Sequence, residues 1–122
     1  MALEILRAKG CERDLAVILD QLVDGYRALG DTLAEALERA ALRVRAIEAA
    51  MAGLGRTAFL ARRRDDVMPG LRQIAAERAV YSFVVDEGLV DEGRGELRVL
   101  AVFLAPGPAA PNLRAQLVAR LR

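Results

Sequence analysis

The sequence predicts a single α+β domain, because the spacing of its apolar residues changes from helical to strand-like along the chain. From about residue 12 to 54, apolar side chains recur every three or four positions, which is the period of one helix face. From about residue 71 to 105, β-branched and aromatic residues dominate. Leu3 and Ile5 alternate with Glu4 in a short stretch before both regions. The order strand, helix, helix, strand, strand, strand is typical of helices packed on one face of a mainly antiparallel sheet.

The composition favours a folded protein without metal or cofactor. The chain has 122 residues, 54% of them hydrophobic and 29% charged, which suits one domain with its own core. The chain has one cysteine, Cys11, and no histidine. This inventory excludes an internal disulfide, the usual zinc sites and histidine-dependent nucleophilic catalysis. No run approaches the ~20 apolar residues that cross a bilayer, and the N-terminus lacks the layout of a signal peptide. We therefore expect a cytoplasmic protein with no membrane contact.

The basic residues are almost all arginine. Eighteen basic residues stand against seventeen acidic ones, and only Lys9 is a lysine. Arginine suits phosphate and carboxylate recognition, although a GC-rich genome would produce the same bias. A net charge of +1 argues against a non-specific nucleic-acid coat, because such binding depends on neutralised phosphates. We expect no sequence-specific DNA binding by this chain, and any nucleic-acid contact has to come from a local patch.

Two helices are predicted in the first half. The first covers about residues 12 to 27, with the acidic Glu12 and Asp14 in its favourable first turn. Gly30 breaks the chain, and Thr32 with Glu35 fits a capping box that starts the second helix. A free coiled coil would show the same regular seam, but the short connection at Gly30 favours an antiparallel helical hairpin. The second helix carries its apolar seam at Leu33, Leu37, Ala40, Val44, Ile47, Met51 and Leu54.

The second half is predicted to form strands at residues 71–76, 79–86 and 96–105. A polar connection after Gly53 and Gly55 contains a cluster of three arginines at residues 62–64, which is either a contact patch or a solvated loop. The sequence Met68-Pro69-Gly70 is a turn signal before the first of these strands. Residues 87–95, with three glycines, are predicted to join the last two strands as a hairpin.

The C-terminal residues are predicted to form an appendage to the same domain. Residues 1–105 make up the domain, and residues 106–122 comprise a Pro-rich linker followed by an amphipathic helix that Asn112 caps. The last two strands are apolar on both faces, and two helices can cover only one face of the sheet. We expect the second face to be covered by the C-terminal segment, by a second copy in a homodimer, or by a partner chain, and the sequence leaves these alternatives open.

Four stretches resemble toxins of the ParE/RelE superfamily, which belong to type II toxin–antitoxin systems, and in particular the ParE-like plasmid stabilisation proteins. Cys11-Glu12-Arg13-Asp14-Leu15 is similar to the "ERDL" opening of their first helix. Arg64-Asp65-Asp66 followed by Met68-Pro69-Gly70-Leu71-Arg72 resembles their "RDDLRPGLR" turn, and this is the most specific part. Arg78-Ala79-Val80-Tyr81-Ser82-Phe83 resembles the "RYVIFYRV" strand, and Leu97-Arg98-Val99-Leu100 the "ILRVLH" strand. The resemblance spans about residues 3 to 105.

This resemblance implies a toxin, with two activities to choose between. ParE-like members inhibit DNA gyrase by binding, without chemistry, whereas RelE-like members cut messenger RNA on the ribosome with basic and tyrosine side chains. The predicted strands offer only Arg72, Arg78, Arg98 and Tyr81 for such cleavage, so the sequence favours gyrase inhibition. The alternatives are a RelE-like messenger RNA interferase and a degenerate, non-toxic partner-binding module. Val84 stands where many relatives carry arginine, and residues 101–103 lack the family's histidine and "RD".

The resemblance also implies partners and site residues. The partners are DNA gyrase and a cognate antitoxin of the ribbon-helix-helix type. Target binding is assigned to Arg72, Arg78 and Arg98, which with Tyr81 would be the catalytic set of a ribonuclease. The aspartates of the turn are assigned a structural role, together with Pro69 and Gly70, because they can accept amide hydrogen bonds where the chain reverses. The residues assigned to antitoxin binding are Leu15, Leu19, Leu22, Tyr81, Phe83 and Phe103.

Overall fold

The structure, a computed structural model, describes residues 3–86, 95–104 and 118–121. It is an α+β fold, as predicted. Two single-turn 3-10 segments, Leu54–Arg56 and Ala58–Leu60, follow the second helix. Residues 118–121 are helical and are called α3. The remaining elements are β1 (Leu3–Arg7), α1 (Gly10–Ala28), α2 (Leu33–Ala52), β2 (Arg62–Arg63), β3 (Arg72–Ala76), β4 (Ala79–Asp86) and β5 (Gly95–Leu104).

Both long helices form where the apolar spacing predicts them. The capping box is confirmed: the Thr32 hydroxyl accepts a hydrogen bond from the Glu35 amide, and the Glu35 carboxylate accepts one from the Thr32 amide. Gly30, with φ of +108°, lets the chain turn between the helices. α1 begins at Gly10, two residues earlier than predicted, so Asp14 lies in the second turn and is buried. The prediction that Asp14 lies in the first turn is therefore wrong, whereas Glu12 does lie there.

The sheet has five strands in the order β1-β5-β4-β3-β2. β3, β4 and β5 form the predicted antiparallel group, but β1 pairs in parallel with β5, with Ile5 opposite Leu97. The predicted three-stranded antiparallel sheet is corrected to a mixed five-stranded sheet. The alternation of apolar side chains fixes which face a strand buries and does not encode the direction of its neighbour. In sequence the helical hairpin lies between β1 and the other strands, so β1 is not tied to β3 and can join the sheet beside β5.

The strand boundaries agree with the sequence apart from β2. β2 has two exposed arginines, Arg62 and Arg63, which pair with Gln73 and Arg72. β2 is held by backbone pairing with β3 and has no apolar side chains, so the spacing of apolar residues could not predict this strand. β3 and β4 are joined by Glu77 and Arg78, both with positive φ, the backbone that a tight two-residue hairpin requires.

The main core lies between the helices and one face of the sheet. Cys11, Leu15 and Ile18 of α1 pack with Ile47 and Met51 of α2 over the strands. The strand side chains that point into this core include Tyr81, Phe83, Leu97, Val99 and Val102. This layer accounts for most of the large side chains that are fully buried.

The second face of the sheet has a smaller cluster built on Leu71 and Ala101. Val67 and Met68 cover one side of it, and Leu121 of α3 packs on it as well. The C-terminal segment thus covers part of this face, which is one of the three alternatives that the sequence leaves open. The loop at 87–94, the linker and the predicted cap Asn112 lie outside the described residues. In the described part of the chain, no helix combines the length and apolar character that crossing a membrane requires.

Candidate functional site

The three arginines predicted to bind a target lie in different places. Arg72 and Phe83 are cross-strand partners, so Arg72 lies on the helix side of the sheet. Its guanidinium carbon lies 5.5 Å from the ring centre of Phe59. Arg98 pairs with Val84 on the opposite face and is exposed. Arg78 occupies the turn at the end of the β3–β4 hairpin. The fold does not bring these three side chains onto one surface.

Tyr81 belongs to the core. It is fully buried, and its hydroxyl donates a 2.8 Å hydrogen bond to the Ile47 carbonyl of α2. Burial, together with the charge of Glu77, raises the pKa of Tyr81 to about 12. A phenol that is shielded from solvent and bound to a helix carbonyl is poorly placed to contact an RNA 2′-hydroxyl.

The residues predicted to bind an antitoxin divide into a buried and an accessible group. Leu15 and Phe83 are buried in the core together with Tyr81. Leu19 and Leu22 are partly exposed on α1, and Phe103 is partly exposed at the second face, beside the Leu71–Ala101 cluster. Of the predicted set, only these last three present accessible surface to another chain.

The turn before β3 is held by its own aspartates. The Asp65 carboxylate accepts a 2.8 Å hydrogen bond from the Gly70 amide, and Gly70 adopts φ of +81°. This bond and the Arg63 guanidinium hold the pKa of Asp65 below its usual value. Asp66 forms a two-pronged ion pair with Arg64, at 2.9 and 3.0 Å. These contacts close a surface turn, and Pro69 lies within it, exposed.

The structure exposes the start of the apolar seam that the sequence predicts for α2. Leu29, Leu33 and Leu37 are 79%, 50% and 45% exposed at the end of the helical hairpin, and we call them the tip leucines. Leu33 and Leu37 open the apolar seam of α2 and lie one turn apart on one face. Farther along the seam Ala40, Ile47 and Met51 are buried. The seam therefore continues beyond the part that the fold covers.

An ion pair and a ring contact lie at the same end of the helical hairpin. Arg39 forms a 2.8 Å ion pair with Asp31, which raises the pKa of the guanidinium. The same guanidinium lies over the ring of Tyr26, at 4.1 Å from its centre. The regular spacing of the seam was the signal in the sequence, but the spacing alone does not show where the partner helix ends.

Comparison of the chain with protein-family models and with curated proteins finds no match.

Proposed function

We propose that this protein is the toxin component of a type II toxin–antitoxin system, of the ParE-like kind, that inhibits DNA gyrase by binding it. Support comes from the resemblance described above, which is most specific at residues 64–72. The observed order of one strand, a helical hairpin and an antiparallel group of strands is compatible with that resemblance. In this proposal the toxin performs no chemistry, and a cognate antitoxin neutralises it.

The observation that carries the proposal of a binding function is the exposure of the tip leucines. Fully burying a leucine contributes about 1.5–3 kcal/mol, and the tip leucines leave a part of this stabilisation unrealised. Leu29 and Leu33 flank the connection between the helices and Leu37 lies one turn farther along α2, and exposed apolar side chains grouped in this way favour a binding site. We assign the tip leucines to target binding, in place of the arginines predicted from the sequence, which do not share one surface.

The arrangement of the other predicted residues favours binding over ribonuclease activity. A ribonuclease of the predicted type needs Tyr81 beside the arginines, at a surface that an RNA strand can reach. Instead, Tyr81 lies in the core, and Arg72 and Arg98 lie on opposite faces of the sheet. No observation in the described residues favours the nuclease alternative.

Neutralisation by an antitoxin follows from the same surface. Leu19 and Leu22 lie on α1 and are partly exposed, so an apolar helix laid along the hairpin could cover them together with the tip leucines. An antitoxin bound in this way would block the surface that we assign to the target. The proposal thus explains inhibition and neutralisation by competition for one surface.

The test is a gyrase supercoiling assay with the purified chain and two variants. The double variant Leu33→Glu/Leu37→Glu places charges on the tip and is expected to abolish inhibition. The matched control is Leu42→Glu: Leu42 is 59% exposed on the same helix, but at 100° per residue it points about 140° away from Leu37. We expect the unchanged chain and Leu42→Glu to inhibit supercoiling equally. Full supercoiling activity at a large excess of the unchanged chain would refute gyrase as the target.

A further inference from the structure

β5 has an irregular edge where it passes α1. Its pairing with β1 ends at Arg7 opposite Val99. In the register with β4, Leu100 has no partner, because Phe83 pairs with Val99 and Ser82 pairs with Ala101. Such a bulge leaves backbone groups without ladder partners. On the other side of β5 the pairing with β1 ends at Val99, and beyond it side chains contact the Leu100 carbonyl and the Val102 amide.

The side chains that bond them are Asp14 of α1 and Arg120 of α3. The Asp14 Oδ2 accepts a hydrogen bond from the Val102 amide at 3.2 Å. Arg120 donates to Asp14 Oδ1 from Nε at 3.0 Å and to Oδ2 from Nη2 at 3.4 Å. Its Nη2 also lies 3.5 Å from the Leu100 carbonyl oxygen. One guanidinium thus contacts a carboxylate and a strand carbonyl that lie 106 and 20 residues away in sequence.

Gly10 provides the space for this guanidinium. A Cβ atom on Gly10 would overlap the Nη2, Cζ and Nη1 atoms of Arg120. The backbone of Gly10 does not itself require glycine, because positive φ among the described glycines occurs only at Gly30 and Gly70. The absence of a side chain at position 10 is therefore explained by the arginine that lies against it.

We infer that Gly10, Asp14 and the Leu100 carbonyl form a binding site for a guanidinium group, which Arg120 of the same chain occupies. Asp14 is 5% exposed, and a buried carboxylate without a cationic partner is strongly destabilising. The planar fork of arginine matches the carboxylate in a way that the single charge of lysine does not. This inference does not depend on the proposed function.

The site also fixes the position of α3. Leu121 follows Arg120 directly and packs on the Leu71–Ala101 cluster at the second face of the sheet. Occupation of the site by Arg120 therefore holds Leu121 over that face, and an empty site releases it.

Chemical rescue of the full-length variant Arg120→Ala tests this inference. The readout is hydrogen exchange of the Val102 amide, followed by NMR. We expect the variant to exchange about tenfold faster at this amide or more, the effect of losing about 1.4 kcal/mol. Millimolar ethylguanidinium should restore protection and saturate, whereas ethylammonium at the same concentration should not. Arg39→Ala, which removes an arginine from an exposed pair with Asp31, is the matched control and should leave Val102 unchanged.

Two further variants make the test specific to the site. In Gly10→Ala/Arg120→Ala the added methyl group fills the cavity, so ethylguanidinium should no longer restore protection. Arg120→Lys keeps a positive charge near Asp14 and tests the need for the fork even if Arg120→Ala does not fold; we expect only partial protection. Unchanged exchange in Arg120→Ala, full protection in Arg120→Lys, equal rescue by ethylammonium, or rescue that persists in the double variant would each overturn the inference.

Discussion

Tyr81 shows how burial decides the role of a single residue. In the sequence it is the one tyrosine of the predicted strands, and it could serve either a catalytic site or a protein interface. In the structure its ring fills the core and its hydroxyl satisfies a polar group at the helix–sheet boundary. The alternation along β4 places Tyr81 and Phe83 on one face, which the sequence predicts. The sequence pattern does not indicate which face the helices cover.

A pH titration checks this role. Because folding raises the pKa of Tyr81 from about 10 to about 12, the folded state favours the neutral phenol. The contribution of this group to stability is complete below pH 10 and is lost as the pH rises from about 10 to 12. In Tyr26→Phe, Tyr81 is the single remaining tyrosine, so phenolate absorbance reports it alone. We expect a midpoint near 12, with circular dichroism showing whether the fold persists. Ionisation near pH 10 in the folded chain would place Tyr81 at the surface.

The position of Asp14 on its helix contains a signal of burial. It shares a helix face with Cys11 and Ile18, three residues before and four residues after it, and both are buried. A carboxylate on a buried helix face needs a hydrogen-bonding or cationic partner, because burying an unpaired charge is costly. That partner, Arg120, lies 106 residues away and could not be identified from local spacing.

At the scale of elements, the capping box is the local signal that specifies the start of α2. The Thr32 hydroxyl and the Glu35 carboxylate each satisfy an amide at the helix N-terminus that would otherwise lack a partner. Because both residues are local in sequence, this prediction needed no tertiary information.

Replacing Thr32 by alanine should therefore lower the free energy of unfolding by about 1 kcal/mol. Thr57→Ala is the matched control, since Thr57 precedes the second 3-10 segment and makes no capping hydrogen bond. Urea denaturation followed by circular dichroism measures both variants. Equal stability of Thr32→Ala and the unchanged chain would show that the box contributes nothing to the fold.

Elements that depend on distant pairing were harder to predict. β2 forms because Arg62 and Arg63 lie opposite β3, and neither residue favours a strand by its own burial. The parallel pairing of β1 with β5 joins the two ends of the domain across the whole helical hairpin. Both results depend on the path of the chain through space, whereas the helices and the β3–β4 hairpin depend on local patterns.

At the scale of the whole molecule, the fold covers its apolar surface unequally. The core between the helices and the sheet is closed, and α3 contributes Leu121 to the cover of the second face. The end of the hairpin keeps the tip leucines outside. The sequence predicts surplus apolar surface along the paired helices and on the hairpin of the last two strands, and on the helices the structure exposes the tip leucines. This exposed end of the hairpin is the part of the molecule on which the proposed binding function depends.

Controlled expression in bacteria, with growth and transcript integrity followed together, tests the proposed binding function most directly. The account predicts that the unchanged chain arrests growth while messenger RNA stays intact, and that Leu33→Glu/Leu37→Glu permits growth at equal protein level. Cleaved transcripts would contradict it in favour of a nuclease. Unimpeded growth with abundant, folded, unchanged chain would contradict it in favour of a non-toxic module.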